Sequence, residues 1–368
     1  MNRCLAIFPG LALALFAQAQ TRLDLLRSDE SSARFTQALE PRAFEFPRDH
    51  GPHPDFRHEW WYFTGHLQAA DGERFGFELT FFRYALAPLQ FHAPGASAWR
   101  ANQIYMAHFA VTDLARHRFN FEARQSRAAL GLAGATAEPL RVWLEDWTVE
   151  NSGSGWSLHA ALSSHALDLE MQPISPVIAN GESGLSRKSA LPGAASYYYS
   201  IPRLSVRGSL KLDGAETPVT GTAWLDREWG SGALAPDQVG WDWFALQLED
   251  GSTLMFYALR RRDGTRDPLS AGTWVDASGK ARALSDSELR IEVLDHWTSA
   301  RGDRYPSRWR LSCAPLGLEV TVQPLLADQE LKVQPRYWEG AVDVRGHRAG
   351  QVLSGRGYVE LVGYSAED

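Results

Sequence analysis

Cysteine is scarce in this chain of 368 residues, which contains two, Cys4 and Cys313. Cys4 lies in an N-terminal segment that we predict to be removed, so the mature chain would keep one thiol and could form no intramolecular disulfide. Apolar cores must therefore hold the fold together, and Cys313 is expected to be buried in one of them.

Positive charge is also in deficit. The chain has 37 Lys and Arg residues against 44 Asp and Glu residues, which gives a formal net charge of −7 at pH 7. A protein that binds nucleic acid needs a basic surface for the phosphates. No nucleic-acid partner is therefore expected.

Several catalytic signatures are missing from the sequence. It contains no Gly-x-Ser-x-Gly nucleophile elbow and no glycine-rich phosphate loop. The spacing of its histidines matches no standard zinc signature. No cofactor and no metal are predicted, and a hydrolase with a serine nucleophile has no support.

An export signal opens the chain. Residues 1–19 combine Arg3, the apolar stretch 5–16 and an Ala-x-Ala site at 17–19, which is the pattern of a cleaved signal peptide. We predict a periplasmic or secreted protein. The alternative is a retained membrane anchor, for which the apolar stretch is short. The polar residues 20–44 are predicted to form a flexible leader.

The rest of the chain has the periodicity of β-strands. Residues 59–68 and 73–84 flank an Ala-Asp-Gly turn and predict a hairpin. Residues 243–248 and 253–259 repeat that hairpin. No stretch has a convincing helical period, and residues 180–195, rich in Gly, Ser and Ala, are predicted to form a mobile loop.

Two longer blocks also repeat, in the same order. Residues 146–173 return as 296–324, both with spaced tryptophans and a Gln-Pro end. Residues 206–226 return as 344–360, both beginning with Val-Arg-Gly. Two matched blocks in one order imply one structural unit that is used twice.

This repeat predicts the domain organisation. Many short strands joined by Gly and Asp turns are typical of antiparallel barrels or sandwiches. We predict an all-β fold of two tandem antiparallel β-barrel units, an N-terminal one at 45–234 and a C-terminal one at 235–368. The chain contains 14 Trp residues, and such large rings suit a barrel core or the wall of an apolar cavity.

Asp226 is the first functional candidate. It matches Glu360 in the second unit and has Trp224 and Trp229 close to it in sequence. A carboxyl beside these rings would be desolvated, which raises its pKa and keeps it protonated. The structural alternative is that residues 226–228 supply ion pairs where the two units meet, and the matching acid Glu360 favours that alternative.

Residues 49–62 form the densest polar and aromatic segment. His50, His53, His58 and Glu59 are candidate metal ligands or proton carriers at the mouth of a pocket. Alternation along a strand would place His58 and Glu59 on opposite faces. The alternative is a structural role at a pocket or between the units.

The segment 58–67, His-Glu-Trp-Trp-Tyr-Phe-Thr-Gly-His-Leu, resembles the hallmark of a bacterial family of exported lipocalin-like proteins. That family includes AttH-type proteins and is related to the carotenoid 1,2-hydratases. Further matching segments are 224–230, 240–244, 337–340 and 357–361. The resemblance runs from about residue 47 to residue 364, and it implies two lipocalin-like β-barrels.

The resemblance also implies chemistry. In related enzymes an acid protonates an isolated double bond and water captures the carbocation, and Asp226 stands where the hydratases are expected to carry that acid. This sequence departs from the hydratase pattern, because Tyr197 and Tyr199 stand where a His and a Trp are expected, and Trp224 stands for a Tyr. The carotenoid substrate is therefore not carried over.

Two functions are weighed. In the first, an exported lipocalin-like monomer binds a hydrophobic or amphipathic small molecule or a lipid. AttH-type relatives are associated with ABC transporters, so the resemblance implies a permease as its partner. In the second, a hydratase, isomerase or cyclase acts on an isoprenoid or lipid-like substrate with Asp226 as general acid, a hydro-lyase being favoured over a hydrolase. A metal-dependent secreted hydrolase is third.

Each function makes a structural prediction. Catalysis predicts that Asp226 lies in a cavity with Tyr197, Tyr199 and Trp224 and has a raised pKa. Binding alone predicts that Asp226 is paired with Arg227 or Arg203 and that the cavity walls are apolar. For either function the predicted ligand-binding residues are His58, Glu59, Trp60, Trp61, Tyr62, Trp224, Trp229, Trp241 and Trp243.

Overall fold

The structure is a computed structural model that describes residues 32–89, 101–162, 164–232, 234–333 and 336–365. The predicted signal peptide, with its alternative of a retained anchor, and the first part of the predicted leader lie outside the described residues. Among the residues that the structure describes, no helix is long and apolar enough to cross a membrane.

Thirteen strands build a first antiparallel sheet. They are β1 His58–Ala69, β2 Arg74–Ala85, β3 Gln103–Asp113, β4 Arg118–Arg127, β5 Ala133–Ala137, β6 Leu140–Leu144, β7 Trp147–Ser152, β8 Gly155–Ala161, β9 His165–Pro173, β10 Ile178–Ala179, β11 Leu185–Arg187, β12 Ala195–Leu212 and β13 Ala215–Gly232.

Ten strands build a second antiparallel sheet. They are β14 Gln238–Leu248, β15 Thr253–Arg261, β16 Ala271–Val275, β17 Ala281–Ser285, β18 Arg290–Thr298, β19 Arg304–Cys313, β20 Leu318–Pro324, β21 Glu330–Leu331, β22 Tyr337–Arg348 and β23 Gln351–Val362. The described part of the chain contains the short 3-10 turns Ser32–Arg34, Arg48–His50 and Ala314–Leu316.

The two sheets share one strand order. The first runs β4-β3-β2-β1-β13-β12-β9-β8-β7 and continues to β6 and β5, and the second runs β17-β16-β15-β14-β23-β22-β20-β19-β18. The first sheet is a nearly closed barrel and the second is a half-barrel. The predicted all-β fold of two tandem antiparallel barrels is therefore confirmed. The predicted boundary at 234/235 falls in the connection between β13 and β14.

Side chains tie the edge strand β4 to strands that it does not pair with. The guanidinium of Arg124 on β4 pairs with Asp146, which precedes β7, and donates to the carbonyl oxygen of Ala161, the last residue of β8, at 3.0 Å. Its carbon lies 4.3 Å from the centre of the Trp147 ring. This cation, held over a ring, links β4 to β7 and β8 without a ladder between them.

Period-two alternation gives the described part of the chain three apolar cores. Trp61 and Phe63 of β1 point into the first barrel, where they join its core. Phe244 of β14 belongs to the core of the second unit. Tyr62 points the other way and joins a third core that lies between the two sheets, together with Trp243. The outer faces of the two sheets are thus packed against each other.

The described part of the predicted leader packs on the first barrel. Phe35 and Ala38 are buried, and the Thr36 amide donates to the Asp55 carbonyl oxygen at 3.2 Å. The ring of Phe44 lies 5.5 Å from the rings of both Tyr199 and Trp229. From residue 32 onward, this segment covers one end of the barrel.

Candidate functional site

The candidate site is a cavity between the two sheets, with an empty volume of about 670 Å³ including its open mouth. Most of its wall is aromatic or aliphatic, which is the usual character of a site for an apolar small molecule. The lining residues are Trp60, Tyr62, Phe82, Lys188, Tyr198, Asp226, Glu228, Leu234, Trp241, Trp243, Tyr257, Leu259 and Glu360.

Alternation on two paired strands builds one wall of this cavity. Tyr62 of β1 lies opposite Asp226 of β13 in the ladder, and Trp60 lies opposite Glu228. Side chains directly opposite each other in an antiparallel pair share a face of the sheet. All four therefore point away from the first barrel and toward the second sheet.

Asp226 is 3% exposed and is surrounded by neutral donors. Its Oδ2 accepts a hydrogen bond from the Tyr198 hydroxyl at 2.5 Å. Its Oδ1 accepts from the Ser200 hydroxyl at 2.5 Å and from the Trp224 indole nitrogen at 2.7 Å. Every bond that fixes this carboxyl comes from an uncharged group.

Burial raises the pKa of Asp226 to about 7, and the charge of Glu228 adds to the shift, while the three hydrogen bonds oppose it. No ion pair involves Asp226 among the described residues. Arg227 instead pairs with Glu59 at 3.1 Å, and Arg203 donates to the Ser252 carbonyl oxygen at 3.1 Å. The ion pair expected for a purely binding role is absent from the described part of the chain, whereas the mostly apolar wall expected for that role is present. The raised pKa expected for catalysis is also present.

The structure does not bring Tyr197 and Tyr199 to Asp226. The Tyr197 hydroxyl donates to the Glu40 carbonyl oxygen at 2.9 Å, and the Tyr199 hydroxyl lies 2.6 Å from Nδ1 of His50. Both tyrosines point into the first barrel, so the predicted grouping with Asp226 is wrong. Their neighbours Tyr198 and Ser200 contact Asp226 instead.

A β-bulge in strand β12 is the reason. Leu204 pairs with Ala223 and Ile201 pairs with Leu225, so β12 advances by three residues there while β13 advances by two. Without this shift Ile201 would lie opposite Asp226, and Tyr199 and Tyr197 would share the face of the acid. One extra residue exchanges the two faces of a strand.

The hydrogen-bond network of Asp226 extends into the second unit. Ser200 accepts a bond from the Asn180 amide at 2.8 Å, and the Asn180 oxygen accepts one from the Thr273 hydroxyl of β16 at 2.8 Å. The Trp243 indole of β14 donates to the Tyr198 oxygen at 3.1 Å. Both sheets therefore position the acid.

The opposite face of the same strands carries a buried ion network. Glu59 is fully buried and pairs with Arg83, and it pairs with Arg227 at 3.1 Å. The His53 amide also donates to it at 3.0 Å. Burial would raise the pKa of Glu59, but Arg83, the His53 hydrogen bond and Arg227 hold it well below its usual range. This carboxylate is a fixed anion that ties the segment around His53, which precedes β1, to the barrel.

The three predicted histidines do not converge on one point. His50 meets Tyr199, and burial lowers its pKa to about 4. The ring of His53 stacks on Trp229 at 3.7 Å, whereas His58 stacks on Trp60 at 5.7 Å on the other face of the sheet. Among the described residues, no group of three or more His, Cys, Asp or Glu side chains could hold a metal ion.

The predicted tryptophans divide between the two faces. Trp60, Trp241 and Trp243 line the cavity. Trp224 lies behind the wall and donates to Asp226. The rings of Trp61 and Trp229 face the barrel interior, each within 6 Å of the Arg227 guanidinium carbon. Of the other predicted ligand-binding residues, Tyr62 lines the cavity, while His58 and Glu59 do not.

Several lining residues were missed by sequence reasoning, above all Lys188 and Glu228. Residues 180–195 were predicted to form a mobile loop, and Lys188 lies within them. Part of that segment is the short strand β11, which pairs with β12 and brings Lys188 to the cavity. Glu228 was considered only as an ion-pairing residue. Because it lies two residues after Asp226 on one strand, the sequence already indicated that the two side chains share a face.

Comparison with known proteins gives the chain its relatives. The profile of the family described as AttH-like matches residues 37–364. A solved structure of an AttH-type protein from Nitrosomonas europaea is 37% identical, with a TM-score of 0.80, and the alignment covers 90% of this chain and 100% of that one. No curated protein matches the chain.

Two more distant solved structures share the fold. Kievitone hydratase from Nectria haematococca has a TM-score of 0.70 at 16% identity, covering 91% of this chain and 99% of its own. CghA in complex with Sch210972 has a TM-score of 0.54 at 14% identity, covering 93% and 97%. At these identities the likeness concerns the fold alone.

Proposed function

This chain belongs to the AttH-like family, and we propose that it binds a hydrophobic small molecule between its two barrels and protonates a carbon–carbon double bond of that molecule with Asp226. The observation that carries this proposal is a buried carboxyl, free of ion pairs with the described residues, in an aromatic cavity. A carboxylic acid kept neutral near pH 7 is suited to donate a proton.

The proposed step moves one proton. The O–H bond of the Asp226 carboxyl breaks, and its proton forms a C–H bond with one alkene carbon as the π bond breaks. This leaves a carbocation at the other carbon and a carboxylate on Asp226. The rings of Trp60, Trp243 and Tyr257 line the cavity, and ring faces stabilise cations. If water adds, its surplus proton returns to Asp226. Loss of a neighbouring proton to the Asp226 carboxylate gives isomerisation. Attack on the carbocation by a nucleophilic group of the same molecule gives cyclisation, and the surplus proton of that group returns to Asp226.

Two relatives support the enzymatic proposal by their names. One protein of this fold is a hydratase, kievitone hydratase. Another, CghA, has been solved with a small molecule, Sch210972, bound to it. Addition of water to a double bond, a hydro-lyase reaction, is therefore favoured over hydrolysis.

A carrier without chemistry is the second candidate function. The mostly apolar wall of the cavity favours it as much as it favours an enzyme. In that case Asp226 would serve only to orient a polar group of the ligand. Export to the periplasm and docking to an ABC-transporter permease belong to this proposal.

The experiment starts from the ligand. Native mass spectrometry of the purified protein, followed by solvent extraction, identifies the class of molecule that it carries. That molecule and a panel of isoprenoid alkenes and alkenyl phenols are then incubated with the protein in ¹⁸O-labelled water and in D₂O. A hydratase incorporates labelled oxygen as well as deuterium, whereas an isomerase or cyclase incorporates deuterium without labelled oxygen.

The decisive variant is Asp226→Asn, which is expected to bind the molecule but to convert it about 10²–10⁴-fold more slowly. Asp242→Asn is the matched control. Asp242 is also buried with a raised pKa, but it pairs with Arg260 and Tyr364 and does not line the cavity. If the wild type binds a molecule and returns it unlabelled and unchanged, the protein is a carrier.

A further inference from the structure

A buried ion pair lies on the same cavity wall as Asp226. Lys188 is 7% exposed and Glu228 is 6% exposed, and both line the cavity. The Lys188 Nζ is 3.2 Å from Oε1 of Glu228 and 3.9 Å from the centre of the Tyr257 ring. The Ser196 hydroxyl donates to the same Oε1.

This pair does not use its full hydrogen-bonding capacity. An ammonium group has three N–H donors, and within the described part of the chain the Lys188 ammonium hydrogen-bonds to Glu228 alone. The second oxygen of Glu228, Oε2, accepts no hydrogen bond from any described residue. A donor and an acceptor therefore stand side by side at the cavity wall.

Stability does not account for this arrangement. A buried ion pair is commonly no more stabilising than apolar side chains of the same volume, because both ions lose their hydration. Burial alone would lower the pKa of Lys188, but Glu228 and Tyr257 raise it above its usual value. The group thus stays an ammonium, and polar capacity left open in an apolar cavity favours a polar group of the ligand.

The chemistry of the pair selects the kind of polar group. A hydroxyl can accept a hydrogen bond from Lys188 and donate one to Glu228 at the same time. A carboxylate would be repelled by Glu228 and by Glu360, which lines the same cavity. A neutral oxygen that both donates and accepts is therefore the best match for this wall.

The strand sets the distance between the two polar points. Asp226 and Glu228 are two residues apart on β13 and share a face. Their Cα atoms are therefore separated by about 6.5 Å, since a strand rises by about 3.3 Å per residue.

We propose that Lys188 and Glu228 form a subsite for a hydroxyl group, so that the ligand is an apolar molecule with an alcohol or phenol at one end. The position of its double bond, about 6–7 Å from that oxygen, rests on the proposed function of Asp226. The hydroxyl subsite itself rests only on the geometry of the pair.

Three probes with one carbon skeleton test the subsite. Farnesol can donate and accept at its oxygen, farnesyl methyl ether can only accept, and farnesene can do neither. Titrations followed by tryptophan fluorescence are expected to give a dissociation constant for farnesol about tenfold or more below that for farnesene, with the ether between them. Equal affinities, or no binding of farnesol, would overturn the proposal.

The double variant Lys188→Met/Glu228→Met removes both charges and both hydrogen-bonding groups, so neither charge is left buried alone. It is expected to bind farnesene as the wild type does and to lose its preference for farnesol. Lys188→Met alone could fail to fold because Glu228 would stay unpaired, and the double variant avoids that ambiguity. A preference that survives in the double variant would refute the subsite.

Asp226→Asn separates this proposal from the proposed function. It is expected to keep the preference for farnesol, because it leaves the pair intact. A preference for farnesol without conversion of any unsaturated molecule would refute the catalytic role of Asp226 and leave the subsite standing. Conversion that depends on Asp226, without a preference among the probes, would refute the subsite and support the catalytic role of Asp226.

Discussion

Glu59 and Asp226 are both buried carboxyls on the paired strands β1 and β13, but they face opposite sides of one sheet. On the barrel side, Arg83 and Arg227 hold Glu59 as an anion. On the cavity side, the hydrogen bonds that Asp226 accepts from the described residues come from neutral donors, and burial raises its pKa to about 7. Burial by itself does not decide the charge of a carboxyl, since its partners do.

The contrast assigns different roles to the two carboxyls of one sheet: Glu59 stabilises the fold, and Asp226 is available for chemistry. Removing one member of a buried ion pair leaves the other charge without compensation, which is strongly destabilising. A neutral buried acid has no such dependence, and its proton is available to a ligand. We therefore expect the two carboxyls to respond differently to the same kind of substitution.

The largest expected effect is on stability. Glu59→Gln leaves Arg83 and Arg227 buried without their anion and should lower the free energy of unfolding by about 3–5 kcal/mol. Asp226→Asn should change it by less than about 1 kcal/mol at pH 5, because Asp226 is already protonated there. Urea unfolding at pH 5, followed by tryptophan fluorescence, measures both. An equal loss in the two variants would make Asp226 a structural acid.

Much of the fold could be predicted from the sequence because β periodicity and internal repetition are local patterns. The block 146–173 covers β7–β9, and its match 296–324 covers the end of β18 together with β19 and β20. These strands occupy equivalent places in the two sheets. Asp226 could likewise be selected from its aromatic neighbours.

The rest of the site could not be predicted, since it depends on contacts between distant segments. The bulge between Ile201 and Leu204 decides which tyrosine meets Asp226, and no local pattern announces its position. Lys188 reaches the cavity through the pairing of β11 with β12. The partners that make Glu59 an anion, Arg83 and Arg227, come from two other strands.

The second expected effect is a pair of opposite pH dependences. The raised pKa of Asp226 means that the native state binds its proton more tightly than the unfolded state. Its contribution to stability is fully present below about pH 3.8, and it is lost as the pH rises through about 7. The upper limit is roughly 4 kcal/mol.

Glu59 should show the reverse. Its pKa is lowered from 4.5, so its contribution is present above that pH and is lost as the pH falls below it. Unfolding free energies of the wild type and the two variants between pH 2 and 8 check both signs. As the pH rises, the free energy of unfolding of the wild type should fall relative to that of Asp226→Asn. The opposite trend would contradict the raised pKa.

The smallest expected effect distinguishes the two faces of strand β12. The Tyr198 hydroxyl donates to Asp226 and so stabilises its carboxylate, whereas the Tyr199 hydroxyl meets His50 inside the barrel. Tyr198→Phe should raise the pKa of Asp226 further, by up to about one unit, and Tyr199→Phe should leave it unchanged. Carbon-13 NMR of the aspartate carboxyls across a pH titration measures the shift. A hydrogen-bond donor to the carboxylate lowers the pKa of Asp226, so removing that donor must raise it. A lower pKa in Tyr198→Phe, or equal shifts in the two variants, would therefore mean that Tyr198 does not tune this acid.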